Sequence, residues 1–216
     1  MSTAHRVAQG EHLVGIALNY GFSDWRPIWE HERNKELREQ RTSPTVLLPG
    51  DVIYIPDKEA KETSGGTEAR HTFKMEQRET KLRLRIEDAS ARPLSSGKCE
   101  VKLGAHTETL TIAHDGFIEM IVPPYAQEGT LTVRDSGTTL DGLEMPLLLG
   151  HLDPVAEVSG QAARLSNLGY RAGDPTDASD YLFRSAIEEF QCDMGLLVDG
   201  RCGPKTQAKL VEVHGS

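Results

Sequence analysis

The residues that could carry hydrolytic chemistry are scattered along the chain rather than grouped in a motif. A zinc hydrolase needs histidines and carboxylates at recognisable spacing, yet neither His-x-x-x-His nor His-Glu-x-x-His occurs among the eight histidines. His12 and His31 are the pair with carboxylates nearby in the first segment. We therefore expect no metal site and interpret the histidines as surface or packing residues.

Two other catalytic arrangements lack the partners that they need. Glycoside hydrolysis uses paired carboxylates in a cleft deep enough to raise one pKa, and segments as short as those found here do not offer one. A thiol nucleophile needs a positioned histidine. His106 and His114 share a β-segment with Cys99, but Cys99 begins a strand and is expected to be half-buried. The sequence predicts a protein that is not an enzyme and has no cofactor.

The composition argues against nucleic acid and anionic lipid as partners. The chain has 216 residues and a formal net charge of −9 at pH 7, whereas both of these partners need clustered lysine and arginine. The N-terminus has no apolar signal-peptide core, and no apolar run approaches the length of a transmembrane helix. We expect no membrane anchor, synthesis in the cytoplasm, and export to the periplasm or a target cell through a specialised secretion machine.

The sequence does not decide whether two of the cysteines form a disulfide. Their number is three, and Cys192 and Cys202 lie close together in sequence. A bridge between these two is geometrically conceivable, but reduced, partly buried thiols are the commoner outcome.

Two changes of composition divide the sequence into three segments. Residues 57–68 are polar and glycine-rich, which is typical of an exposed linker. At Gly150–Pro154 the alternation of strands gives way to helical spacing. The prediction is a multi-domain α+β protein with units at 1–57, 70–150 and 151–216, and a linker at 58–69.

The first segment has the pattern strand, helix, helix, strand. His5–Ala8 predicts a short strand, and the following helix has an apolar stripe at Leu13, Ile16, Ala17 and Tyr20. Gly21 ends that helix, and Ser23 or Asp24 can cap the next one. Leu48–Pro56 predicts a turn and an alternating strand.

This arrangement, closed by Pro-Gly-Asp-Val-Ile-Tyr-Ile-Pro at 49–56, resembles a LysM module. The resemblance implies two antiparallel strands, helices over one face, and a groove for N-acetylglucosamine between the first loop and the loop before the last strand. The family's Gly-Asp-Thr-Leu loop is here Gly10-Glu-His-Leu13, and the connection 32–45 is longer and more charged. Glu11 and His12 are therefore candidate ligand contacts, and packing against a protein is the alternative use of this fold.

The middle segment alternates as half-buried strands do. Apolar Leu82, Leu84 and Ile86 are interleaved with charged residues, and similar strands are predicted at 99–103, 107–112, 117–122 and 129–134. Turn signals at Asp115-Gly and Asp135-Ser-Gly separate strands at hairpin spacing, which indicates a small β-sandwich. The order strand, Arg-Pro-Leu, strand, His-Asp-Gly-Phe, strand, Pro-Pro resembles β-domains of spike-associated and carrier proteins in type VI secretion gene clusters.

The third segment predicts three helices. The first has a stripe at Val158, Ala162, Leu165 and Leu168, the second at Leu182, Ala186, Ile187 and Phe190, and the third at Thr206, Leu210 and Val213. Gly169 ends the first helix, and Pro204 fits the first position of the third.

Three elements of this segment resemble the three-helix peptidoglycan-binding module of cell-wall enzymes. They are Val-x(6)-Leu-x-x-Leu-Gly-Tyr, Ala-Ile-x-x-Phe-Gln and Gly-Leu-x-Val-Asp-Gly-x-Cys-Gly-Pro-x-Thr, in the family's order and spacing. The family's first loop, Asp-Gly-x-Phe-Gly-x-x-Thr, is replaced by a loop without those glycines at 174–181. The resemblance implies substrate binding without catalysis.

The resemblance also places candidate ligand contacts around one groove: Tyr170, Tyr181, Phe190, Asp199 and Arg201. Aromatic faces stack on sugars or peptide stems, and a carboxylate with backbone groups can hold amides. Phe190 and Tyr170 also fit the core, and Asp199 also fits a role in bracing its own turn. Tyr181 and Arg201 are therefore the preferred contacts.

Two functions remain open at this point. One is a non-catalytic protein that binds peptidoglycan or a muropeptide, with two weak sites linked in one chain. The other is an adaptor of a type VI or phage-tail-like machine, in which the same units dock a spike or effector protein. We favour the first, in association with a secretion machine.

Overall fold

Three separate apolar cores organise the chain, one for each segment of the sequence. The computed structural model describes residues 3–41, 43–58, 80–88, 90 and 92–215. All but Lys58 of the linker at 58–69, and residues 70–79 of the second unit, lie outside the described residues. The exact boundaries of the units therefore stay a prediction.

The N-terminal unit is a two-stranded antiparallel sheet covered by short helices. Strand β1 (Thr3–Arg6) pairs with β2 (Val52–Ile55), with His5 opposite Ile53. Helix α1 (Leu13–Asn19) buries the predicted Leu13, Ile16 and Ala17, and α2 (Arg26–Trp29) buries Ile28. The order of strands and helices is the expected one, while membership of the LysM family stays a prediction.

Two details of this unit differ from the sequence-based expectation. Trp25 holds the N-cap position of α2, and its indole has no acceptor with which to cap the helix. Asp24, one residue earlier, accepts from the backbone N–H and the guanidinium of Arg26. The long connection also folds, as a 3-10 turn (Glu32–Asn34) followed by α3 (Lys35–Gln40). Buried Asn34 donates to the carbonyls of Ile28 and Tyr54 and so ties the connection to β2.

The middle unit consists of two antiparallel sheets that share one core. Strand β3 (Thr80–Arg85) pairs with β6 (Phe117–Val122). The second sheet has the order β5-β4-β7-β8, comprising β5 (His106–Thr111), β4 (Lys98–Leu103), β7 (Glu128–Arg134) and β8 (Glu144–Leu148). Residues of β4, β6 and β7 meet in the same apolar cluster, as a sandwich requires.

Strand β8 was absent from the prediction. It contains Pro146, which cannot donate a ladder hydrogen bond and is tolerated on an edge strand. The structure places β8 at the edge of its sheet, where it pairs with β7 alone.

The C-terminal unit has the three expected helices, α4 (Val158–Asn167), α5 (Tyr181–Asp193) and α6 (Pro204–His214). Two predicted core positions are wrong: Leu182 is 46% exposed and Val213 is 40% exposed. Phe183 is buried in place of Leu182, because the buried stripe of α5 runs through Phe183, Ala186, Ile187 and Phe190. Among the described residues, no helix is both long and apolar enough to cross a membrane.

Candidate functional site

The turn between α5 and α6 is organised by one buried amide. Gln191 is 1% exposed, and its Oε1 accepts from the backbone N–H groups of Asp199 (3.0 Å) and Gly200 (3.1 Å). Its Nε2 has two hydrogens to donate and lies within hydrogen-bond distance of three acceptors, which are Asp199 Oδ1 (2.9 Å), the Arg201 carbonyl (3.0 Å) and Thr206 Oγ1 (3.1 Å). Donors and acceptors of one side chain therefore fix the backbone of the whole turn.

Asp199 braces the turn while remaining at the surface. Its Oδ1 also accepts from the backbone N–H of Arg201 at 2.9 Å. The hydrogen bonds from Gln191 and from Arg201 hold the pKa of Asp199 below its usual range. The exposed turn therefore carries a fixed negative charge at neutral pH.

Gly200 adopts a left-handed backbone conformation beside α5. Its φ is +65°, and a Cβ at this position would lie 2.6 Å from Glu188 Oε1. The backbone at Gly200 is buried, although its neighbours Asp199 and Arg201 are exposed. Glycine is the residue that adopts this conformation without a steric cost.

The outer side of the turn presents apolar and basic groups to solvent. Leu197 is 81% exposed and Val198 is 53% exposed, and Arg201 is exposed beside them in sequence. We call Leu197, Val198, Asp199 and Arg201 the turn surface. A rigid backbone that displays large apolar side chains is typical of a binding surface rather than of a core element.

Tyr181 lies at the start of α5, away from the turn surface. It is the first residue of α5, after the N-cap Asp180, and is 81% exposed. The rise of a helix places positions 181 and 191 about 15 Å apart along the axis, and positions 181 and 188 about 10 Å apart on one face. The structure therefore does not bring Tyr181 into the turn. Glu188 lies between Tyr181 and the turn along α5.

Tyr170 is partly buried against the core of the C-terminal unit. Its hydroxyl donates to Asp193 Oδ2 at 2.9 Å, and its ring packs edge-to-face on Phe190 with centroids 5.6 Å apart. Burial, together with Asp193, raises the pKa of Tyr170 to about 12. Phe190 is fully buried, so its core role is as expected.

Glu11 and His12 lie in the N-terminal unit and have local partners. Glu11 Oε2 accepts from the backbone N–H of Ala8 at 2.8 Å and lies 2.8 Å from His5 Nε2. His12 caps α1, since its Nδ1 accepts from the N–H of Gly15 at 3.4 Å. Burial lowers the pKa of His12, against an opposing attraction from Glu11.

The cysteines are free in the structure. Cys99 is fully buried rather than half-buried, and burial raises its pKa to about 11. Cys202 is partly buried with its pKa also raised to about 11, while Cys192 is exposed. No group of three or more His, Cys, Asp or Glu side chains suited to a metal ion occurs within the described parts of the chain.

The sequence reasoning missed the organising residue of the site. Gln191 was visible as the residue after a buried phenylalanine, but its partners come from the other side of the turn. No prediction was made from the sequence for Leu197 and Val198, whose exposure depends on how the turn folds back on α5.

Residues 158–210 match the family model described as "Putative peptidoglycan binding domain". The matched range begins with α4, contains Gln191 and the turn surface, and ends within α6. The C-terminal unit is therefore similar to this family of domains. A search of the curated proteins and a search of the solved structures each gave no match.

Proposed function

We propose that this chain is a non-catalytic protein that binds peptidoglycan through the turn surface and Tyr181 of its C-terminal unit. The observation that carries the proposal is the turn at Asp199–Arg201, which lies within the matched range and is held rigid by buried Gln191. Its outer side chains are free of the core and exposed.

The chemistry of the surface fits a glycan that carries peptide stems. The ring of Tyr181 offers a face for a sugar or an apolar stem residue, and Leu197 and Val198 offer apolar contact area. Arg201 can pair with a stem carboxylate, and Asp199 can accept from a stem amide. Ligand contact then needs no displacement of the turn, which favours affinity through preorganisation.

The absence of catalysis is part of the proposal and is supported by the thiols. Cys99 is buried in the sandwich core with a pKa of about 11, so its thiolate fraction at neutral pH is very small. His106, the nearer histidine in sequence, is exposed and lies 3.6 Å from Glu108.

The test is retention of the purified chain on insoluble peptidoglycan sacculi at low salt. We expect the native chain to sediment with sacculi, and Tyr181→Ala and Arg201→Ala each to weaken retention several-fold. Leu143→Ala and Arg134→Ala are the controls, because both residues are exposed in the middle unit, away from the C-terminal unit's turn, and should leave retention unchanged. Native protein that stays in the supernatant at micromolar concentration would contradict the proposal.

A second candidate is an adaptor of a type VI or phage-tail-like machine that binds a spike or effector protein. It is favoured by Glu11 and His12, whose contacts lie within the chain. On this proposal the protein is made in the cytoplasm, travels by that machine, and forms a stable complex with a spike or effector protein encoded nearby. Sacculi would then retain none of it.

A further inference from the structure

The first loop and first helix of the N-terminal unit lie against the middle unit and the first residues of the C-terminal unit. A Cβ on Gly10 would lie 3.0 Å from His151 Nε2 and 3.3 Å from Gln127 Cδ, and a Cβ on Gly150 would lie 2.6 Å from the Gly10 carbonyl oxygen. The backbones of Gly10 and Gly150 therefore lie closer together than a side chain on Gly150 would allow. The same Cβ on Gly150 would lie 3.5 Å from His12 Cδ2.

Gly15, within helix α1, also lies close to the backbone of the middle unit. It lies in α1 without a positive φ, and a Cβ there would lie 3.2 Å from the Pro124 carbonyl oxygen. Glycine inside a helix costs about 1 kcal/mol relative to alanine. The backbone conformation at this position does not require glycine. The close approach of the Pro124 carbonyl oxygen accounts for it instead.

The segment Gly150–Pro154, which we call the strap, is also fixed to the C-terminal unit. Buried Arg164 donates from Nη1 to the carbonyls of Asp153 (2.8 Å) and Gly160 (2.7 Å). Ser159 Oγ donates to Asp153 Oδ2 at 2.6 Å, and a Cβ on Gly160 would overlap the Pro154 carbonyl oxygen. The strap thus follows β8, touches the N-terminal unit at Gly150 and anchors α4.

Arg41 of the N-terminal unit lies close enough to Glu157 for the charge of Glu157 to affect its pKa. Arg41 of the N-terminal unit is paired with Asp51 at 2.8 Å, with both side chains largely buried. Its pKa is raised by Asp51 and, more weakly, by the charge of Glu157. Glu157 is the N-cap residue of α4, so this attraction reaches the C-terminal unit.

We infer that the surface formed by Gly10, His12 and Gly15 is an intramolecular docking site. Its occupant is the Pro123–Gln127 loop together with the strap of the same chain. The three units then form one rigid body. This face of the N-terminal unit is closed to other ligands, and the turn surface keeps a fixed orientation relative to the other two units. The inference does not depend on which ligand the C-terminal unit binds.

The first measurement is ¹⁵N relaxation on the full native chain. Docking predicts one rotational correlation time for all three units, so that the ratio between the N-terminal and C-terminal units is one. A ratio clearly below one in the native chain, with the N-terminal unit tumbling faster, would overturn the inference without any variant.

The second measurement uses Gly15→Leu, which favours helix α1 but places a side chain where Pro124 lies. We expect the N-terminal unit to keep its fold, its correlation time to fall below that of the C-terminal unit, and the radius of gyration from X-ray scattering to rise. Asn19→Leu is the control, because Asn19 lies in the same helix and is exposed, and it should change neither quantity. A Gly15→Leu chain that is folded and still tumbles as one body would count against docking. Retention on sacculi is measured in parallel, so that failure of ligand binding and failure of docking are distinguished.

Discussion

Gln191 and Asp199 form a ring of two reciprocal hydrogen bonds. The backbone N–H of Asp199 donates to Gln191 Oε1 at 3.0 Å, and Gln191 Nε2 donates to Asp199 Oδ1 at 2.9 Å. A residue buried in α5 therefore sets the position of a charged residue at the surface. The backbone conformation of the turn surface therefore depends on this pair.

Replacing Gln191 by glutamate tests that dependence with little change of shape. A carboxylate cannot donate to Asp199 Oδ1 and would face it with like charge, so the turn should loosen. We expect a loss of about 2–4 kcal/mol in the local opening free energy, by the cost of unsatisfied buried groups, measured by hydrogen exchange at the amide of Gly200.

The control for that variant is Gln207→Glu. Gln207 donates one hydrogen bond, to the Cys202 carbonyl at 2.9 Å, so its loss should cost about 1 kcal/mol. Equal effects of the two variants would show that Gln191 has no special role in the turn.

Gly200 allows a graded test of backbone conformation. Gly200→Ala should destabilise the turn by about 1–2 kcal/mol, because alanine tolerates a φ of +65° poorly. Gly200→Asn should cost less, since asparagine visits the left-handed region more readily. Urea unfolding monitored by a signal from the C-terminal unit gives the order of the three chains, and a stability of the alanine variant at or above that of the asparagine variant would be inconsistent with this geometry.

The stability of the chain should fall as the pH is lowered through the range in which histidine titrates. Burial lowers the pKa of His12 and of His214 below the ordinary value of 6.5, with Arg164 adding to the effect at His214. The unfolded chain then binds more protons than the folded one below about pH 6.5, so unfolding becomes easier as the pH falls towards the folded-state pKa values. Urea unfolding at a series of pH values measures the slope.

The variant His12→Asn distinguishes the role of His12 as the cap of α1 from its contribution to the pH dependence of stability. His12→Asn keeps an acceptor for the N–H of Gly15 but removes one titrating group, so the pH dependence should become shallower. An unchanged slope in both His12→Asn and His214→Gln would exclude these histidines as its source.

Thiol labelling under native conditions should distinguish the cysteines. Cys192 is exposed and should react rapidly at pH 8, whereas Cys99 and Cys202 have pKa values of about 11 and should react slowly. Cys192→Ser should remove the fast phase. A chain prepared without reductant that shows no fast phase, and regains it on reduction, would instead indicate a bridge between Cys192 and Cys202.

The sequence predicted the local elements better than the contacts between them. The stripe of Leu13, Ile16 and Ala17 is buried as expected, since helical periodicity depends on neighbours in sequence. Strand β8 was not predicted because Pro146 argues against a strand unless that strand lies at an edge. Phe183 was not predicted as a core residue because the sequence of α5 allows two overlapping apolar stripes. The hydrogen bonds of Gln191 to the turn could not be predicted from the sequence, because they depend on how the turn folds back on α5.

The most direct measurement is an NMR titration of the full native chain with a soluble muropeptide. We expect saturable shifts of the amides at Leu197–Arg201 and at Tyr181, and their loss in Arg201→Ala and Gln191→Glu. Shifts confined to the N-terminal unit around Glu11 and His12, or no shifts at millimolar muropeptide, would contradict a binding site at the turn surface.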